Sequence, residues 1–256
     1  MHTGEIAHPA AETEDQLVRQ LKHEGYALLP AAECLALLGG QASLAGAIPS
    51  FQQSWHGLPV DPYMADGGRY RRRRHAVMSA RADGGPVRLE PYRPHFQTRH
   101  YNPVNGGIDR HFEEIRPETL ENKAAAGLLD LGARIFSAAA PQTAWEIEVH
   151  QFRIEAGAEG GQPTPEGMHS DGVDFVLMSL IAREGVSGGE SLIEDAAGHP
   201  LTRFTLTTPF DTALVDDRRL RHGVSRILPE LPEGHGYRDM LVVTFRRKET
   251  GRTRRA

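Results

Sequence analysis

The chain has 256 residues, 39% hydrophobic and 25% charged, with a mean hydropathy of −0.45. That suits a globular protein with one substantial core, and no run nears the roughly 18 apolar residues of a membrane span. The formal net charge of −5 disfavours general nucleic-acid binding, and a single cysteine, Cys34, rules out an internal disulfide. The N-terminus lacks the basic start and apolar stretch of a signal peptide, so the cytoplasm is the expected address. Cys34 sits in an Ala/Leu-rich segment and reads as a small buried hydrophobe.

In chain order, Leu17, Val18 and Leu21 share one helical face after Thr13 as N-cap, and Gly25 closes that helix. Tyr26 to Leu29 reads as a short strand, Glu33 to Leu38 as a second helix, and residues 48–68 as a loop punctuated by Pro49, Pro59 and Pro62. One long helix is predicted from Pro117 to Ala139, with proline in its first turn and Leu120, Ala124, Leu128, Leu131 and Ile135 on one face. The second half changes period. Trp145, Ile147 and Val149 alternate with Glu146, Glu148 and His150, as in a half-buried strand. After a Gly/Pro loop at 157–167, short strands are expected at Phe175 to Ile181, Phe204 to Thr208, Thr212 to Val215 and Met240 to Phe245. The expected class is mainly β with flanking helices: a jelly roll, or double-stranded β-helix of the cupin-like kind. No linker divides the chain, so residues 1–256 read as one domain. Within it, 1–60 form an N-terminal helical and irregular cover, and 69–246 the jelly-roll core with an inserted helix.

Chemistry concentrates in His169-Ser170-Asp171, where a glycine-rich loop enters an apolar strand. Residues i and i+2 of an extended segment point the same way, so the imidazole and the carboxylate converge. His222 is the natural third ligand from a distant strand. Two His and one carboxylate on one side of a metal form the facial triad of non-haem iron oxygenases, which leaves positions open for a cosubstrate and O₂. An isolated His-x-Asp also occurs as a surface His and Asp beside a turn. Sixteen residues after His222, Arg238 opens an apolar strand expected beside the His222 segment. There a guanidinium would grip the far carboxylate of 2-oxoglutarate through two charge-assisted hydrogen bonds. Its alternative is a surface arginine paired with Asp239 or Glu233.

These features lie within a broader similarity. The stretches Pro165-Glu-Gly-Met-His-Ser-Asp-Gly-Val-Asp-Phe, Gly188-Gly-Glu-Ser, Val215-Asp-Asp-Arg-Arg-Leu-Arg-His-Gly-Val and Gly236-Tyr-Arg-Asp-Met-Leu-Val-Val-Thr-Phe resemble the bacterial 2-oxoglutarate/Fe(II) dioxygenases that include L-isoleucine 4-hydroxylase. Arg69-Tyr-Arg-Arg-Arg-Arg, Tyr101-Asn-Pro with Gly106-Gly, and His150-Gln-Phe-Arg-Ile extend the resemblance over residues 60–246. It implies a double-stranded β-helix, Fe(II) held by His169, Asp171 and His222, and 2-oxoglutarate held by Arg238. It also implies hydroxylation of a C–H bond in a free L-amino acid or close analogue, with O₂ consumed and succinate and CO₂ released. Related enzymes with Gly or Ala at the carboxylate position bind halide there, so Asp171 favours hydroxylation over halogenation. Some members sulfoxidise Met-like amino acids.

The remaining candidates divide by sequence position. The run Arg69 to His75 reads as a solvated face or, through Arg74 or a neighbour, as a contact for a substrate carboxylate. Arg218, Arg219 and Arg221 compete with Arg238 on paper, but a turn beside Asp216-Asp217 favours surface ion pairs. His150 and Arg153 lie on opposite strand faces, so at most one meets the metal cavity. His150 is a candidate substrate or supporting contact. Asp174 is a poor iron ligand but a candidate for a substrate ammonium if a bulge turns it inward. Trp55, Gln97 and Asn102 are candidate lid residues. The expected partner is a small molecule, with neither nucleic acid nor membrane. The alternatives are a metal-binding isomerase or non-catalytic module on the same fold, and a demethylase of protein or nucleic acid.

Overall fold

The computed structural model describes residues 9–64, 66–83, 85–101, 104, 106–231 and 233–248; Asn102 of the sequence reading lies outside them. The helices are α1 (Pro9–Glu24), α2 (Ala31–Leu37), α3 (Gln41–Leu44), α4 (Ala47–Gln53), α5 (Pro117–Leu120) and α6 (Lys123–Ala139). The strands are β1 (Tyr26–Leu29), β2 (Arg71–Ala80), β3 (Arg88–Leu89), β4 (Trp145–Ala156), β5 (Phe175–Glu184), β6 (Val186–Gly188), β7 (Ser191–Asp195), β8 (Pro200–Phe204), β9 (Thr212–Asp216), β10 (Leu220–Val224), β11 (Ile227–Pro229) and β12 (Gly236–Arg247).

A seven-stranded sheet runs in the order β1-β9-β5-β12-β4-β2-β3, and all its pairings are antiparallel. Side-chain alternation gives it two unlike faces. Trp145, Ile147 and Val149 of β4, Leu241, Val243 and Phe245 of β12, and Leu177 and Ile181 of β5 bury against Leu17 and Leu21 of α1, Phe51 of α4, and Leu128, Leu131 and Phe136 of α6. Phe136 stacks on Phe175 at 4.8 Å and meets Phe245 edge-on at 4.8 Å, an arrangement that adds to plain burial. The opposite face looks toward two small sheets, β10-β7-β8 and β11-β6. Ile193 and Leu220 of the small sheets pack there with Val176, Met178 and Met240. Two β layers with helices on one outer face make the expected jelly roll. Among the described residues no helix is long and apolar enough to cross a membrane.

Several local expectations change. Helix α1 begins at Pro9, so Thr13 is inside it and not its cap; proline's fixed φ suits a first helical position. Gly25, at φ +85°, ends α1 as predicted, its N–H bonded to the Leu21 carbonyl at 2.9 Å. The span 48–68 contains α4, where Pro49 sits in the first turn and is tolerated. The 117–139 helix is broken at Glu121-Asn122, because the Asn122 side chain accepts from the Ala124 N–H at 2.9 Å and caps a new helix. The strand expected at 204–208 lies at 200–204 instead. β2 is a strand that the arginine run disguised, and β1 pairs with β9 at the sheet edge, so the N-terminal segment belongs partly to the sheet it was expected to cover.

Candidate active site

The polar face of the large sheet is not a solvent face. Glu146, Glu148, His150, Phe152 and Ile154 of β4, with Arg71 and Arg73 of β2, line a cavity between the β layers. His169, Asp171, His222 and Arg238 line the same cavity.

His169 and His222 are brought together by an isolated antiparallel bridge. The His169 N–H donates to the His222 carbonyl at 3.0 Å, and the His222 N–H returns a bond at 2.8 Å. Their rings lie 4.6 Å apart. Asp171 follows two residues on, as the extended geometry requires, with Oδ1 3.7 Å from His169 Nε2 and Oδ2 3.6 Å from His222 Nε2. One nitrogen or oxygen from each residue falls within 4.8 Å of the others. His169 Nδ1 lies 3.0 Å from the Gly167 carbonyl, which can only accept, so Nδ1 carries the proton and Nε2 keeps its lone pair for the centre.

Asp217 holds the turn behind this group. Its carboxylate is 4% exposed and accepts backbone N–H bonds from Asp171 at 2.9 Å, Gly172 at 2.8 Å and Val173 at 3.0 Å. Gly172 is required there: φ is +76°, and a Cβ would fall 2.4 Å from the Tyr101 ring. Asp217 is therefore buried scaffolding, and the surface pairing expected for Asp216-Asp217 fails for it. Burial, then the Asp171 charge, push its carboxyl above the ordinary range. At Asp171 itself burial favours the neutral acid, but His169 and His222 outweigh it and hold the carboxyl low. Burial, then the charge of His169, hold His222 below the usual imidazole range.

The donor set fits a divalent metal. Two imidazoles and a carboxylate share one face, with both Nε2 atoms turned to Asp171 and neither held by a hydrogen bond, the geometry suited to non-haem iron. Gln97 donates to Asp171 Oδ1 at 3.1 Å and receives from Arg110 at 2.7 Å, so it reaches the site as a support for the carboxylate.

Arg238 is 3% exposed, its Nε has no partner, and no described carboxylate lies within ion-pair distance of it. Both surface pairings considered for it fail: Asp239 instead takes two 2.7 Å bonds from Arg153. β12 does not lie beside His222 either. It sits between β4 and β5 in the large sheet, while β10 pairs with β7, so Arg238 faces the His222 layer across the cavity. Burial, then Arg183, lower the Arg238 guanidinium to about 10. An unpaired, buried cation on a cavity wall fits an anionic ligand.

Other candidates are placed differently. Arg74 is not on the cavity: β2 turns Arg71 and Arg73 inward, and Arg74 pairs with Glu113 at 3.1 Å on the other face. Asp174 is also off the cavity, committed to Arg247 Nε at 2.7 Å, the Arg247 N–H at 2.9 Å and Arg218 at 3.6 Å; no bulge turns it inward. His150 does line the cavity, and Arg153 turns away to Asp239 and the Tyr237 ring. Arg219 bonds the carbonyls of Lys22 and His23, and Arg221 bonds Glu194 and Met168 O, which removes both as rivals of Arg238. Trp55 is fully buried, donating to Phe152 O at 3.0 Å, and is core, not lid. Arg110, Glu148 and Glu166 line the cavity without having been singled out from sequence. For Glu148 the signal was present, since it shares the alternation of His150.

A family model described as 2OG-Fe dioxygenase matches residues 52–244. The chain belongs to the 2OG-Fe dioxygenase family. It is a non-haem Fe(II)/2-oxoglutarate dioxygenase, and its cofactor chemistry is that of Fe(II), 2-oxoglutarate and O₂. Curated relatives include the 3(1)-hydroxy-L-isoleucine 4-dioxygenase of Pantoea ananatis strain AJ13355, 26% identical over 242 residues, covering 90% of this chain and 94% of the relative. The L-isoleucine-4-hydroxylase of Bacillus thuringiensis is 26% identical over 204 residues, covering 78% and 82%. Among solved structures, a bsmA homolog from Methylobium petroleophilum PM1 aligns with a TM-score of 0.81 at 36% identity, covering 91% of this dioxygenase and 92% of that chain. IDO from Bacillus thuringiensis shares the fold at a TM-score of 0.76 and 18% identity, covering 92% and 100%.

Proposed function

We propose that this dioxygenase hydroxylates a C–H bond of a free L-amino acid or close analogue, with His169, Asp171 and His222 holding Fe(II) and Arg238 holding 2-oxoglutarate. The observation that carries the reading is one cavity containing both a two-His, one-carboxylate face and an unpaired buried guanidinium on the opposite layer. The two relatives named for isoleucine chemistry support the substrate class. When bound, iron and 2-oxoglutarate supply the oxidising chemistry, with succinate and CO₂ released and one oxygen atom entering the substrate.

The protein's own residues bind, orient and shield. Gly167 O fixes the His169 tautomer, Asp217 shapes the Asp171 turn, and Gln97 selects one Asp171 oxygen as its acceptor. Arg238 would supply a planar fork for the distal carboxylate of 2-oxoglutarate, from the layer opposite His222 in the same cavity. Met178, Leu206, Ala213, Met240 and Val242 give the cavity an apolar wall that keeps water from the reacting carbon. A small-molecule substrate also agrees with the arginine run: Arg71, Arg73 and Arg74 are buried and Arg72 pairs with Glu155, which leaves Arg69 as its one exposed arginine.

The test is succinate release from purified, iron-loaded protein in air with each of the twenty protein amino acids. We expect one or a few to stimulate it together with a product heavier by one oxygen. Decarboxylation that no amino acid stimulates would contradict the substrate class while leaving the family chemistry intact.

A further inference from the structure

We infer that the cavity is a receptor for a zwitterion, in which Arg110 takes the substrate carboxylate and Glu148 its ammonium; this rests on the amino-acid reading above. Three buried guanidiniums crowd one wall: Arg71, Arg73 and Arg110, at 5%, 3% and 1% exposure. One buried carboxylate, Asp61, serves two of them, at 2.8 Å from Arg71 and 3.8 Å from Arg73. Arg73 is further held between the rings of Phe112 and Phe152. Arg110 has no described carboxylate within ion-pair distance. It spends one bond on Gln97 Oε1 and leaves Nε without a partner, although it lines the cavity. A buried guanidinium in that state is a ready fork for an anion.

Glu148 is its counterpart. His95 Nδ1 bonds Oε2, and His75 Nε2 and His150 Nε2 lie 3.4 and 3.8 Å from the same oxygen. Burial lowers all three imidazoles, His95 to about 4, so they surround Glu148 without neutralising it. Despite its own burial, the close His75 ring and the hydrogen bond from His95 hold the Glu148 carboxyl well below the usual range. Its second oxygen has no hydrogen bond among the described residues, and Glu148 lines the cavity. The two receptors are one backbone pair apart. His95, which bonds Glu148, is the antiparallel bridge partner of Arg110, with N–H to carbonyl distances of 3.0 and 2.9 Å. That bridge ties both groups to one stretch of cavity wall, and the Arg110–Gln97–Asp171 chain sets the carboxylate end next to the metal face.

The same cluster, His75, His95, Glu148 and His150, offers ligand atoms within 4.8 Å of one another and invites a second metal. Arg73 opposes this. It donates to His150 Nδ1 at 2.8 Å, which puts the ring proton on Nε2, the atom a metal would need, and it adds a positive charge beside the site. A monovalent ammonium, which brings its own N–H donors to Glu148, suits the cluster better.

The experiment is anaerobic calorimetry of the holoenzyme with Fe(II) and 2-oxoglutarate, titrated with L-isoleucine, its methyl ester and 3-methylpentanoate. The other protein amino acids, with their own esters and deaminated acids, replace these where L-isoleucine does not bind. We expect the amino acid to bind about tenfold or more tighter than either analogue. Arg110→Gln should weaken it by about tenfold or more but change the ester by less than about twofold, and Arg110→Lys should restore part of the loss. Glu148→Gln should weaken the amino acid and spare the deaminated acid. Either analogue binding as tightly as the amino acid, variants that lose every probe equally, or two Fe(II) bound per chain would overturn the inference. If none of the twenty amino acids binds, the amino-acid reading and this inference fall together.

Discussion

The two faces of the seven-stranded sheet are made by the same strands and differ in every physical respect. On β4, Trp145, Ile147 and Val149 turn to the helices, and Glu146, Glu148 and His150 turn to the cavity. The helix side is dry, aromatic and close-packed, and its task is stability. The cavity side buries guanidiniums and carboxylates, several with unused hydrogen-bonding atoms, at a cost in folding free energy that ligand binding can offset. Stability and function are thus divided by strand parity, one residue apart. Substitutions on the two faces should consequently fail in different ways.

The largest effect should come from Asp171→Ala on the cavity face. It removes one of three ligands, so in halide-free buffer, where nothing can fill the vacated position, Fe(II) binding and amino-acid-dependent succinate release should both fall to background while the far-UV spectrum and melting curve stay close to wild type. Full turnover by that variant would remove the proposed triad. On the helix face, Phe245→Ala should cost about 3–5 kcal/mol in denaturant unfolding, because it empties a site packed against Phe136 and Trp145. A loss under about 1 kcal/mol would mean that the two faces are not divided as described.

Arg238→Met sharpens the comparison by keeping the apolar stem and deleting the charge. The 2-oxoglutarate requirement should rise by about tenfold or more with unfolding free energy unchanged or slightly raised, since an unpaired buried cation has gone. A drop in stability without a change in that requirement would make Arg238 a packing residue. The smallest effect concerns Cys34, on the helix side. Burial pushes its thiol up to about 11, so it should resist alkylation in the native protein at pH 8, where about one thiol in a thousand is ionised. It should react only after denaturation; rapid native labelling would show that this face opens.

Much of this division was legible in the residues. The period-2 pattern of β4, the apolar run of β5 and the His169-x-Asp171 spacing each encode a local geometry that the fold keeps. What failed did so because tertiary partners decided it. Asn122 reads as an ordinary helix residue until its amide N–H groups bond Ala47 O and Ser50 Oγ of α4, which leaves its oxygen to cap α6. The arginine run reads as surface because sequence carries no sign of Asp61 lying beneath it or of Phe112 and Phe152 flanking Arg73. Arg74 and Asp174 were displaced by strand parity and by competing ion pairs, and neither could be read before register was known. Arg110, Asp217 and Gln97 acquire their roles only through contacts 13 to 74 residues away in sequence, beyond the reach of any local motif.

The most direct test of the central claim is an anaerobic visible spectrum of the purified protein with Fe(II), with 2-oxoglutarate, and with both. If His169, Asp171 and His222 hold iron within reach of a 2-oxoglutarate anchored by Arg238, a weak absorption band should appear only with both additions. It should vanish in His222→Ala and need a higher 2-oxoglutarate concentration in Arg238→Met. A band that persists in His222→Ala, or none at all after confirmed iron loading, would contradict the assignment of this site.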